Sequence, residues 1–142
     1  MPVPLITPKL IASSRPIELG WSLLVLDGPP RSEKSRDGES VNYFFDFTAE
    51  LGPGNSDVNK GRSTTYMVSG KALDGGIREV CTVYLQLMSA LTGLSAEELT
   101  NQDINENALV GKKVWADISE RFVDGKAYKE FKAFAPSNVI PF

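Results

Sequence analysis

The hydrophobic period of this chain changes twice, and that change narrows the folds open to it. Residues 41 to 50 (VNYFFDFTAE) alternate, with Val41, Tyr43, Phe45, Phe47 and Ala49 on one face and Asn42, Phe44, Asp46, Thr48 and Glu50 on the other, the pattern of a half-buried strand. From about Ile77 the spacing becomes helical. Val80, Val83, Tyr84, Leu87 and Leu91 form one stripe, which ends near Gly93. The two-residue period then returns: Lys113, Trp115, Asp117, Ser119 and Arg121 alternate with Val114, Ala116, Ile118 and Phe122. Phe44 and Trp115 therefore fall on the polar faces of their strands.

Turn signals supply the remaining elements. Residues 20 to 26 (GWSLLVL) are apolar between Gly20 and Asp27-Gly28-Pro29-Pro30, which predicts a first core strand with Trp21 sharing the parity of Leu23 and Val25 and expected in the core. Residues 27 to 40 hold no aliphatic or aromatic side chain and two Asp-Gly pairs, so a long mobile loop is expected there. A second polar loop, residues 51 to 62, precedes a third strand at 63 to 70 whose facing is ambiguous. Ser95 with Glu98 makes a capping box for a short second helix. Val123-Asp124-Gly125-Lys126 is a hairpin turn that returns the chain into a fifth strand, residues 127 to 135, ahead of a short tail at 136 to 142.

Three strands, a helix and two strands, β-β-β-α-β-β, is the order of the five-stranded oligonucleotide-binding (OB) barrel. The expected fold class is all-β with a helical insertion. With 142 residues, 42% of them hydrophobic, the chain has the size and make-up of one domain.

Composition removes whole classes of chemistry. The chain has no histidine, which excludes imidazole general bases, Ser-His-Asp and Cys-His nucleophile systems and histidine-containing metal sites. Cys81 is the only cysteine, so neither an intrachain disulfide nor a thiolate zinc cage can form, and the count fits a reducing, cytoplasmic compartment. No stretch is long and apolar enough for a membrane span, and MPVPLITPK lacks the basic start of a leader. Asp103-Ile104-Asn105-Glu106-Asn107 imitates a calcium loop, but Ala108 replaces the required glycine and Val114 stands where the bidentate glutamate belongs. No phosphate-cradling glycine motif exists, so no cofactor, no metal and no enzymatic activity are expected.

Net charge is -3, yet it is unevenly spread. Residues 93 to 110 carry four acidic side chains and no basic one, whereas residues 111 to 135 carry six basic against four acidic. One basic face can exist on an acidic protein.

The run from Gly20 to Phe47, followed by Gly61-Arg62, the Val83-Tyr84-Leu85 helix, Leu109-Val110-Gly111-Lys112-Lys113 and the Gly125 hairpin, resembles a family of small phage proteins. These are similar to single-stranded DNA-binding proteins of the OB fold and lie near phage replication and recombination genes. The resemblance covers roughly residues 15 to 138 in layout. It implies protection of single-stranded DNA in replication or recombination, without catalysis. The terminal Ile140-Pro141-Phe142 is similar to the tripeptide by which bacterial single-stranded DNA-binding proteins recruit replication and recombination enzymes. The acidic run that precedes it in those proteins is missing here, so a recruitment tail and a tail packed on the barrel both stay open.

Single strands are held by aromatic platforms under the bases and cations along the phosphates. Facing makes Phe44, Trp115 and Tyr66 the candidate platforms, although Trp115 can equally cover the barrel end and Tyr66 can face either way. The OB barrel binds through its second and third strands and the loops joining strands one to two and four to five. Those positions make Arg31, Lys34, Arg36 and Lys126 candidate phosphate contacts, extended by Arg62, Lys113 and Arg121. The loop cations have acidic neighbours, so each alone reads as a solvated surface charge. A protein-interaction module on the same barrel, in a replication or virion assembly, is the rival reading, and the charge over the second and third strands separates the two. An edge strand pairing between subunits, or the N-terminal PVPLITPKLIA swapping onto a neighbour, offers a route to a homo-oligomer.

Overall fold

Alternation becomes strand wherever one parity can be buried. In the computed structural model, which describes residues 5, 7–8 and 16–142, six strands form one antiparallel sheet with short helices around it. They are β1 (Gly20–Leu26), β2 (Arg31–Lys34), β3 (Val41–Leu51), β4 (Ser63–Ser69), β5 (Lys113–Val123) and β6 (Lys126–Pro136). The helices are α1 (Gly70–Asp74), α2 (Arg78–Thr92) and α3 (Ala96–Leu99). The strand order is β2-β3-β1-β5-β6, with β4 on the other edge of β3. No ladder joins β4 to β6, so the sheet is open there.

β3 follows its alternating pattern from Phe45 onward, whereas Val41 is only half-buried and Tyr43, expected on the same inward face, is exposed. Phe45, Phe47 and Ala49 are buried, with Phe47 fully enclosed. Their parity continues on β1 through Ser22, Leu24 and Leu26 and on β5 through Val114, Ala116 and Ile118, all buried. Ladders that set Leu26 opposite Phe47 and Leu24 opposite Val114 bring these rows together. The expectation for Trp21 fails for this reason: with Leu24 and Leu26 inward, Trp21, Leu23 and Val25 occupy the outer face, where each is half-buried. Tyr66 and Val68 turn inward, which settles the facing of β4.

α2 ends where the sequence places it, at Gly93 with a left-handed φ of 75° that a residue with a side chain adopts at a cost. Its stripe lays Leu87, Met88 and Leu91 into the core against β5 and β6. The Ser95–Glu98 capping box forms and starts α3. Asp124 and Gly125, at φ 51° and 79°, make the two-residue β5–β6 turn.

Two departures are local. Residues 27 to 40 do not remain a loop: Arg31–Lys34 pair with Val41–Phe44 to form β2. Nothing apolar drives this strand. The Arg31 guanidinium instead lies 5.1 Å from the centre of the Phe44 ring and forks onto Asp46, at 2.7 and 3.0 Å. The polar loop 51 to 62 contains a 3-10 turn (Pro53–Asn55) and a fully buried side chain, Asn59. The Asn59 amide donates to the Glu18 carbonyl at 3.1 Å and to Ser22 Oγ at 2.9 Å, and accepts from the Glu18 N–H at 2.7 Å. It ties β1 and the segment before it to that loop.

Candidate nucleic-acid interface

The outer face of β3 and β4 is the surface on which the barrel order predicts binding, and its cations are already engaged. Arg31 is paired with Asp46 and lies 3.5 Å from Glu33, while Lys113 bridges Glu50 at 2.9 Å. Asp46 also accepts from Thr65 Oγ1 at 2.8 Å. The Arg31 hydrogen bonds hold the Asp46 carboxyl below its ordinary range despite partial burial, and Asp46 in turn raises the guanidinium. Asp27 takes the Thr48 hydroxyl at 2.8 Å on the same side. A phosphate arriving here meets carboxylates that outnumber the cations. Phe44, half-buried under Arg31, offers no open ring.

The other expected residues scatter. Lys34 and Arg36 are exposed at the end of β2 and in its turn, beside Asp37, whose carboxyl is lowered mainly by the Ser35 hydroxyl. Arg62 is half-buried and structural: its guanidinium donates to the Pro16 carbonyl at 2.9 Å and to Asn59 Oδ1 at 3.3 Å. Tyr66 is a core residue, edge-on to Phe131 and Phe134 at 5.4 and 5.2 Å, and burial pushes its hydroxyl well above the ordinary range.

Trp115 corrects the expectation of an exposed platform. It sits on the outer face, as its parity requires, but only 3% of it is accessible. Phe142 packs edge-on against it with ring centres 5.3 Å apart. The last residue of the C-terminal tripeptide thus packs on the sheet, while Ile140 stays exposed. Removing the Phe142 ring with Phe142→Ala should cost about 1 kcal/mol of aromatic pairing beyond the lost area and shift tryptophan emission to longer wavelength as water reaches the indole. Unchanged emission in the folded variant would show that Phe142 does not cover Trp115 in solution.

Arg121 and Lys126 belong together on a different part of the molecule. A bulge between Asp117 and Ile118 interrupts the β5–β6 ladder, and beyond it residues 120 to 130 are all exposed. This arm continues the hairpin past the core. Its register sets Arg121 directly opposite Tyr128, and Lys126, two residues from Tyr128, shares that face. Tyr128 is 52% exposed, and Phe122 on the opposite face is 70% exposed. A groove of about 840 Å³ runs beside the arm, between β4 and β6, with Thr65, Met67, Val83, Arg121, Tyr128 and Lys132 among its walls. Lys129, on the other face, pairs with Glu120 at 3.7 Å.

Tyr128 and Lys132 are absent from the sequence-based set. A signal for Tyr128 existed, since a two-residue Asp-Gly turn fixes Val123 opposite Lys126 and therefore Arg121 opposite Tyr128. Among the described residues no three His, Cys, Asp or Glu side chains converge as a metal site would need, and no helix is long and apolar enough to cross a membrane. No protein-family model matches the sequence, and no curated protein matches it.

Proposed function

We propose that this chain is a non-catalytic single-stranded DNA-binding protein built as an open form of the OB barrel, acting in phage replication or recombination. Support for the barrel comes from the ladders: β1 pairs with both β3 and β5, β3 with β4, and β5 with β6, with α2 between β4 and β5 in sequence. Only the β4–β6 ladder that would close the barrel is unmade, and Tyr66 reaches Phe131 and Phe134 across that gap.

One observation carries the functional reading. Tyr128 presents an open ring, with Arg121 across the ladder and Lys126 on the same face, beside a groove that Lys132 also lines. Stacking on the ring is indifferent to base identity, and the cations can follow a phosphate backbone. The binding surface moves from the outer face of β3 and β4 to the hairpin arm.

Fluorescence anisotropy of a labelled oligo-dT strand tests the proposal, with duplex DNA and an RNA strand of equal length as competitors. Three cations at about 0.7 each give an expected slope of log K against log salt of about -2, with the duplex a poor competitor. Absence of binding at low salt would overturn the reading.

The rival, a protein-interaction module, draws on the carboxylates over β3 and β4 and on exposed Phe122 and Val123. It becomes the better reading if oligo-dT does not bind.

A further inference from the structure

We propose that the free edge of β6 pairs with the same edge of a second copy of this chain, forming a two-fold antiparallel dimer centred on Tyr128. Among the described residues β6 ends the sheet, and its outer side is joined to no other strand. Near the core that edge is closed by a side chain, since Gln86 Oε1 accepts the Phe134 N–H at 3.1 Å. Over residues 126 to 130 every residue is exposed. A two-stranded ribbon projecting from a domain is marginal by itself, and its open edge is a template for another strand.

The charges favour a second copy as occupant, and of the registers centred on residues 127 to 130 only the one at Tyr128 brings opposite charges face to face. Directly opposed residues of an antiparallel pair lie on the same face, so a two-fold axis normal to the sheet must lie midway between a residue of β6 and its own copy. With the axis at Tyr128, Lys126 faces Glu130 of the second copy, and symmetry repeats the pair. Ala127 then faces Lys129, whose long stem has room beside a methyl group. With the axis at Lys129, that lysine faces its own copy. With the axis at Glu130, two carboxylates meet. Like charges in direct opposition destabilise a ladder, so those registers are disfavoured. Neither Lys126 nor Glu130 makes an ion pair within the chain among the described residues, so both are available.

The dimer does not depend on the nucleic-acid reading, but it uses the edge of β6 that borders the groove and commits Lys126 to Glu130 of the second copy, so Arg121, Tyr128 and Lys132 are the groups it leaves to that site. Arg121 lies across the ladder from Tyr128. Pairing would set Arg121 and Tyr128 of one copy and Tyr128 and Arg121 of the other in one row across four strands, about 14 Å long at ~4.8 Å per strand. Two stacking rings would then sit side by side between two guanidinium groups.

Sedimentation equilibrium of the full chain without nucleic acid is the test. The wild type is expected to approach twice the 15.5 kDa monomer mass as concentration rises. Lys126→Glu sets carboxylates against each other and should yield a monomer, as should Glu130→Lys with opposed ammonium groups. The double variant Lys126→Glu/Glu130→Lys restores both pairs with reversed sign and should recover the dimer. Both sites are exposed, so circular dichroism should confirm an unchanged fold in all three variants. A wild type that stays monomeric up to its solubility limit, a dimer that survives Lys126→Glu, or a double variant that stays monomeric would each overturn the proposal. Because no DNA is present, failure of oligo-dT binding leaves this result untouched.

Discussion

Asn59→Ala should destabilise the fold by about 3 to 5 kcal/mol, one of the largest losses from any single polar substitution in this chain. Asn59 is fully buried and uses both ends of its amide. Truncation leaves the Glu18 N–H, the Glu18 carbonyl and the Ser22 hydroxyl without this partner, each at about 1 to 3 kcal/mol if no water replaces it. Ser22 is itself fully buried, so its hydroxyl has least recourse to solvent. Arg62 also loses a partner and, among the described residues, its guanidinium keeps the Pro16 carbonyl. Urea denaturation provides the measurement: the midpoint should fall at an unchanged slope, which marks lost stability rather than a changed denatured state. A loss below about 1 kcal/mol would mean that the network is replaceable.

Tyr128→Ala should weaken oligo-dT binding about 5- to 150-fold, the effect of removing one stacked base at about 1 to 3 kcal/mol. Stability should change little, because the ring is 52% exposed and lies beyond the buried core. Tyr128→Phe should retain most of the affinity, since the π-face rather than the hydroxyl meets the base. The salt dependence should stay close to that of the wild type, because the three cations remain. Unchanged affinity in Tyr128→Ala would remove the arm as the stacking site even if DNA still binds. Trp115, the platform favoured by parity, should behave in the opposite way: with 3% of its surface accessible, its truncation would act on stability first.

Trp115 and Tyr128 show where a sequence runs out. Parity correctly assigned Trp115 to the outer face of β5. Whether an outer-face side chain is exposed depends on what lies over it, and Phe142 arrives from the far end of the chain. Charge has the same limit. Arg31 was expected in a mobile loop and Lys113 beside Trp115, but Asp46 and Glu50 are close enough to engage them only after the strands pair. The N-terminal PVPLITPKLIA segment, considered as an element that swaps between copies, lies largely outside the described residues.

The sequence alone determined the elements whose causes are local. Alternation in 41 to 50 made β3, the stripe from Val80 to Leu91 made α2, Ser95 with Glu98 capped α3, and Asp124-Gly125 turned the last hairpin. Each depends on residues within a turn or a strand of one another. Only the tertiary structure decided that the polar run Arg31–Lys34 is a strand, because its partners Phe44 and Asp46 lie on a different strand. It also decided that Arg62 and Asn59 are structural and that Arg121 and Lys126 meet Tyr128 on the hairpin arm. Burial and ion pairing are properties of surfaces brought together by the whole chain, which no local pattern encodes.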